Sequence, residues 1–274
     1  MIPVALSIAG FDGTAGAGMQ ADLKVFSALE CYGMTVLTAL PVQNTCGVRS
    51  CHEIPAHCVE EQLFAIFEDT RPHAIKIGML FTEAIIHRVA DFLHTHARDI
   101  PLVVDPVMYA KSGDALLQES ARAALKDCIL PLATLITPNA PEATHLTGIA
   151  VEDVASQQEA AEVLLKLGAK AALVKGGHVG GDASGDWFAD CQGETHLFQY
   201  PRIKTPNTHG TGCTLSAAIT AGLAHGLPLV KAVEQARAFL QQALLAAKDW
   251  RLGKGCGPLH HFHAWWPSET ARVC

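Results

Sequence analysis

The residues with the clearest chemical potential lie late in the chain, in Asn207-Thr208-His209-Gly210-Thr211-Gly212-Cys213-Thr214. Gly210 and Gly212 let the backbone turn tightly so that successive N–H groups point at one spot. The small-residue run Leu215-Ser216-Ala217-Ala218 predicts a helix directly after them, whose positive N-terminal end faces the same spot. Such a turn is a hole for an anion. It is no Walker A loop, because the G-x-x-x-x-G-K-[ST] spacing is absent, and no dinucleotide fingerprint, because G-x-G-x-x-G is incomplete and late in the chain. A glycine turn that only starts a helix is the competing reading. Cys213 falls in the first turn of that helix, where the dipole and free N–H groups are expected to lower its pKa and favour a thiolate, as suits a general base or nucleophile. Its competing reading is a small buried side chain, a common use of free cysteine.

A second cluster, Gly10-Phe11-Asp12-Gly13-Thr14-Ala15-Gly16-Ala17-Gly18, follows the first predicted strand and has Gln20 and Asp22 close behind it. It admits a ligand near the backbone, or serves only tight strand–helix packing. Asp105 ends an apolar run, and Asn139-Ala140-Pro141-Glu142 opens a helix just after another. Carboxylates so placed beside an anion hole suit Mg²⁺, which takes one or two carboxylates together with waters and substrate phosphates. Asn139 and Glu142 also have capping-box spacing, and both roles are compatible. The late His260-His261-x-His263 lacks the spacing of known zinc patterns, so a structural or surface role is expected there.

Short apolar strands alternating with amphipathic helices must position these groups. Strands are predicted over 4–9, 35–42, 74–77, 102–104, 134–137 and 171–174, and helices over 17–29, 59–67, 83–96, 115–126, 141–147, 157–167, 211–224 and 229–247. This order predicts right-handed crossovers and a mostly parallel sheet covered on both faces. From Trp187 to Ile203 the segments shorten around Gly193 and Pro201, predicting antiparallel strands at one sheet edge. In an open α/β sheet ligands gather at the carboxyl ends of strands. There the glycine cluster, Gln43-Asn44, Lys76–Met79, Asp105-Pro106 and Lys175-Gly176-Gly177 are expected to converge.

Composition agrees with a single globular domain over residues 1–274. Of 274 residues 49% are apolar and 17% charged, which excludes disorder of the chain as a whole. A net charge of −7 without basic runs argues against nucleic-acid or anionic-membrane binding. No apolar stretch is long enough to span a bilayer. Nine cysteines, an odd number with no C-x-x-C pair, and an N-terminus that reads as a strand point to a reducing cytoplasm.

Taken together, the motifs resemble the ribokinase superfamily and, within it, the hydroxymethylpyrimidine/phosphomethylpyrimidine kinases of thiamine biosynthesis. The resemblance runs from about Val4 to Phe262 through Ile8-Ala9-Gly10, Gly16–Asp22, Gln43-Asn44-Thr45, Lys76–Leu80, Asp105–Met108, Lys111–Asp114, Thr137-Pro138-Asn139, Lys175–His178 and Asn207–Cys213. It implies a three-layer α/β/α ribokinase-like fold, MgATP as donor, and a cysteine where many relatives carry an aspartate base. By the same resemblance Gly210, Gly212 and Cys213 form the anion hole, Cys213 is the base and Lys175 lies near the nucleotide. Asp105 and Glu142 hold Mg²⁺ through water, and Gln43, Asp22, Gly10, Met79 and Val107 line an aminopyrimidine pocket. The chain departs from the family at Phe11–Gly16, where Ser-Asp-Ser-Gly-Gly-Gly is usual. The expected activity is ATP-dependent phosphorylation of hydroxymethylpyrimidine and its monophosphate by a cytoplasmic homodimer with a small-molecule substrate and no nucleic-acid or membrane partner. A pyridoxal kinase of the same fold, and a nucleotide-binding regulator without activity, are the alternatives.

Overall fold

The computed structural model describes residues 2–109, 113–114, 116–177 and 183–266. Lys111, Ser112 and His178 of the motifs above, and Ala115 at the start of one predicted helix, lie outside them.

The chain begins β1 (Val4–Ala9), α1 (Gly18–Ala28), β2 (Tyr32–Leu37), β3 (Ala39–Asn44), β4 (Gly47–Glu53) and α2 (Ala56–Asp69). It continues β5 (Ala74–Ile77), α3 (Glu83–His96), β6 (Leu102–Val104), α4 (Glu119–Ala124), β7 (Leu135–Ile136), α5 (Ala140–Thr147) and α6 (Val154–Lys166). The last elements are β8 (Ala171–Val174), β9 (Ala183–Asp190), β10 (Thr195–Pro201), α7 (Thr211–Ala224) and α8 (Leu229–Ala246). Eight strands form one sheet in the order β10-β9-β8-β7-β6-β5-β1-β2, parallel from β2 to β8 and antiparallel at the β9–β10 edge.

Alternation of side chains along each strand divides the core in two. Leu6, Ile75, Val104, Ile136 and Ala172 pack with α2, α3, α4, α5 and α6. Their neighbours Ala5, Ala74, Val103, Leu135 and Ala171 pack with α1, α7 and α8. Small residues on this second side let the mostly alanine, glycine and threonine face of α7 lie close to the sheet. The expected three-layer arrangement is thus observed.

Two local expectations need correction. The single strand predicted over 35–42 is two strands, because the chain turns at Thr38, whose N–H bonds Ala9 O (3.1 Å) and whose hydroxyl bonds Met79 O (2.5 Å). Beyond it β3 leaves the main sheet and pairs with β4 in a separate two-stranded hairpin. The helix predicted over 115–126 begins only at Glu119, residues 116–118 being non-helical, and it runs on through a π-helical turn at Leu125–Ile129.

Candidate active site

The chain passes from β2 across to β5 on the other flank of β1, so the carboxyl end of β1 lies where strand order reverses. Open α/β sheets bind ligands at this point, and here a cavity of about 560 Å³ opens. Gly10 follows β1, Met79 follows β5, Asp105 and Val107 follow β6, Glu142 stands in the first turn of α5, and Lys175 follows β8; all of them line the cavity.

Gly210, Gly212 and Cys213 enter it from the opposite layer, at the start of α7. Gly210 has φ +84°, and a Cβ there would lie 1.8 Å from the carbonyl oxygen of Gly16, so glycine is required by conformation and by space. A Cβ at Gly212 would come 3.2 Å from Asp105 Oδ2 and 3.3 Å from Lys175 Nζ, which shows how closely the helix start approaches both groups. The N–H groups of Gly212 and Cys213 belong to the first turn, where no intrahelical acceptor exists. They are available to an anion.

Lys175 Nζ bonds Asp105 Oδ1 at 3.0 Å. Burial opposes the charge on Lys175, yet Asp105 and Glu142 outweigh it and hold its pKa above the usual lysine value. Glu142 completes the expected capping box: its carboxylate accepts from Asn139 N–H (2.9 Å) and its own N–H donates to Asn139 Oδ1 (2.9 Å). Burial pushes the Glu142 carboxyl up to about 7 against the pull of Lys175.

Gln43 lies in the hairpin at the point where the β3–β4 register shifts. Such a bulge re-aims a side chain, and Gln43 is on the cavity wall with Met79 and Val107. Its amide has no hydrogen-bond partner among the described residues.

Asp22 is a correction: it does not line the cavity. It is fully buried one layer behind, where both carboxylate oxygens receive Lys76 Nζ (2.8 and 2.7 Å) and Ser7 Oγ donates to Oδ2 at 2.5 Å. The side chain at the cavity floor is Lys76 instead. The charge expected on Cys213 is also corrected. Burial pushes the thiol up to about 11, and the cation of Lys76 and the N–H of Gly18 only partly offset it. Sequence shows the helix start but not the depth of cover above it.

Two further contacts were not anticipated. Asp12, in the departing glycine loop, accepts from the N–H groups of Thr14, Gly16 and Ala17 and pairs with His209 Nε2 at 2.8 Å. Burial disfavours its charge, but His209 and these donors hold the carboxyl well below the usual range. Asp12 therefore ties the first glycine loop to the anion-hole loop. Gln20 supports it by accepting from Asp12 N–H at 2.8 Å. Behind α7, His261 Nε2 meets Thr214 Oγ1 at 2.9 Å, in line with a structural role for the late histidines. No group of three or more metal-ligating side chains occurs among the described residues.

The family model described as Phosphomethylpyrimidine kinase matches residues 12–260. A hydroxymethylpyrimidine/phosphomethylpyrimidine kinase from Rhizobium meliloti is 50% identical over 269 residues, covering 97% of this chain and 99% of the relative. Among solved structures, a phosphomethylpyrimidine kinase from Clostridium difficile is 39% identical with a TM-score of 0.78, over 88% of this chain and 99% of that one. The pyridoxal kinase from Staphylococcus aureus in complex with ADP is 35% identical with a TM-score of 0.88, over 97% and 95%. Profile, relatives and fold agree along nearly the whole length, and the chain belongs to the phosphomethylpyrimidine kinase family.

Proposed function

We propose that the protein transfers the γ-phosphoryl group of MgATP to the hydroxymethyl group of 4-amino-5-hydroxymethyl-2-methylpyrimidine, and then to the resulting monophosphate, giving the diphosphate used in thiamine biosynthesis. The observation that carries this reading is the meeting, in one cavity, of a glycine-built helix start, the Asp105–Lys175 pair and a wall bearing the free amide of Gln43.

The walls divide the work. Ile203, Leu240 and Leu244 form an apolar slot between β10 and α8 that suits a flat nucleotide base. Lys175 and the N–H groups of Gly212 and Cys213 face the phosphates, holding the γ-phosphoryl group and the charge that develops on it. Gln43 offers a donor beside an acceptor, which matches a ring nitrogen next to an amino group; Gly10, Met79 and Val107 provide the flat surround. Cys213 lies between these regions, where its sulfur, once deprotonated, accepts the hydroxyl proton as the oxygen–phosphorus bond forms and ADP leaves.

The residues present fit Mg²⁺. Asp105 and Glu142 are two carboxylates beside a phosphate site, the donor set a Mg²⁺ ion uses when waters and phosphates complete its shell. When bound it neutralises phosphate charge. Lys175 holds Asp105 in place for it, and the capping box fixes Glu142.

The pyridoxal kinase reading shares the fold and a flat ring with a hydroxymethyl arm. A coupled assay of ADP release with hydroxymethylpyrimidine, its monophosphate and pyridoxal separates them. Turnover of both pyrimidines at a kcat/KM well above that of pyridoxal is expected. Comparable turnover of pyridoxal overturns the specificity, and no ADP release with any of the three overturns the kinase reading.

A further inference from the structure

Arg237, Leu240, Gln241 and Leu244 all line the cavity from α8. Their three- and four-residue spacing puts them on one stripe of the helix. Three of them have a use: Leu240 and Leu244 wall the apolar slot, and Gln241 Nε2 donates to Pro201 O at 2.8 Å, tying α8 to the end of β10. Arg237 has no part in the reading above.

Its side chain is nearly enclosed, 9% exposed, beside an Asp186 carboxylate that is 1% exposed and also on the cavity wall. Arg237 Nε stands 3.2 Å from Asp186 Oδ2, close enough for charge attraction, yet the two are not aligned as a hydrogen bond and both atoms are buried without a hydrogen-bond partner. The guanidinium carbon lies 4.9 Å from the centre of the Tyr200 ring. Asp186 is fixed in turn, since its Oδ1 accepts from Gly176 N–H at 3.0 Å. The guanidinium is thus held by charge on one side and by an aromatic face on another, while none of its N–H groups donates to a described residue. Burying an ion pair is costly, and leaving buried donors without acceptors adds to the cost, so stability of the fold alone does not account for this arginine. A guanidinium only donates. Whatever completes it must bring acceptors into the cavity.

We propose that Arg237 is a further nucleotide-binding residue, whose N–H groups donate to acceptors on the nucleoside half of ATP, either ring nitrogens of the base or oxygens of the ribose. The proposal rests on the reading of the Ile203, Leu240 and Leu244 slot as the nucleotide's and deepens it. The far end of α8 is tied to the anion-hole loop by Asn207 Nδ2, which donates to Ala247 O at 2.7 Å. Arg237 stands ten residues before Ala247, about 15 Å along the helix, so it serves the slot and not the phosphate end. Asp186 is the positioning residue: it holds Arg237 by charge and, through Gly176 N–H, the turn that carries Lys175.

The test is titration calorimetry on the full-length protein without pyrimidine, using ATP and inorganic tripolyphosphate as probes, each with Mg²⁺. Both carry the phosphate chain, and only ATP carries the nucleoside. Arg237→Met keeps an unbranched stem and removes every donor; it is expected to weaken ATP by about tenfold or more and tripolyphosphate by less than about twofold. Arg237→Lys should fall between wild type and Arg237→Met for ATP. In steady-state assays of Arg237→Met the KM for ATP should rise while the pyrimidine KM stays within about twofold. Equal weakening of both probes marks a support of the fold or of the Lys175 turn and overturns the proposal, as does an unchanged ATP affinity. Analogues on the wild-type protein separate base from ribose and do not depend on the variant folding: 1-, 3- and 7-deaza-ATP each lack one ring nitrogen, and 2′- and 3′-deoxy-ATP each lack one hydroxyl. At least one is expected to bind about tenfold more weakly than ATP, and affinities all equal to that of ATP overturn the proposal. The slot reading fails separately, and takes the proposal with it, if wild type binds ATP no more tightly than tripolyphosphate.

Discussion

At one end of the cavity Asp105, Lys175 and Glu142 hang from the ends of β6 and β8 and the start of α5, with Lys175 bonded to Asp105 and Glu142 held by Asn139. At the other end Gln43 stands on a two-stranded hairpin outside the main sheet, whose Leu40 and Val42 are exposed. Groups that meet developing charge need fixed geometry and a dry setting, because electrostatic stabilisation is strong only where nothing must reorganise. Groups that read a neutral ring need only shape and one or two hydrogen bonds. The parallel sheet supplies the first and the hairpin the second. Damage at the sheet end should therefore appear in the chemical step, and damage at the hairpin end in substrate binding.

The largest effect is expected at the helix start between them. Cys213→Ser roughly keeps the volume and keeps the backbone N–H while replacing the thiol with a hydroxyl that ionises far less easily, and kcat is expected to fall by roughly 10²–10⁴, the usual worth of a general base. ATP binding, measured by titration calorimetry, should be nearly unchanged. Near-full kcat would leave the backbone hole alone in charge of the chemistry.

A crossed pair of variants tests the division directly. Asp105→Asn should weaken apparent Mg²⁺ affinity and lower kcat while leaving the pyrimidine KM within about twofold. Gln43→Ala should do the reverse, raising the pyrimidine KM by the ~1–3 kcal/mol that a lost buried pairing costs, with the Mg²⁺ titration unmoved. Equal changes in both parameters for either variant would break the comparison.

The smallest effect concerns acid. Burial, with Lys24 and the neighbouring histidines adding to it, pushes His261 down to about 3, so it is neutral in the folded protein and charged in the unfolded chain below about 6.5. Its contribution to stability is present above that pH and is lost as the pH falls toward 3. Because His261 bonds Thr214 on α7, hydrogen-exchange protection, corrected for the intrinsic rate at each pH, should fall in α7 before it does in the β3–β4 hairpin as the pH drops from 7.5 to 5. His261→Gln should flatten that dependence. An unchanged pH response in this variant would assign the acid sensitivity elsewhere.

Much of the framework was legible because it is local. The helix over Glu83–His96 and the strand over Leu102–Val104 carry their period and their boundaries in their own residues, and both stand where predicted. The capping box at Asn139 and Glu142 is likewise a matter of spacing. The strand Gly47–Glu53 was missed because it is largely polar and solvent-facing, with no apolar alternation to mark it. Lys76 did leave a signal, a single charge inside an apolar strand, but its partner is 54 residues away.

The amino-acid order by itself determined the alternation of strands and helices, the glycine-built helix start and the set of groups that belong at the carboxyl ends of the strands, because period, turn chemistry and capping act over a few residues. Only the tertiary structure decided that Asp22 lies behind the cavity wall, that Lys76 takes its place at the floor and that Cys213 is pushed up rather than down. Those outcomes depend on desolvation and on charges brought together from α1, β5, β6 and α7. The cost of removing water from a group is set by everything packed around it, and no short stretch of sequence contains that information.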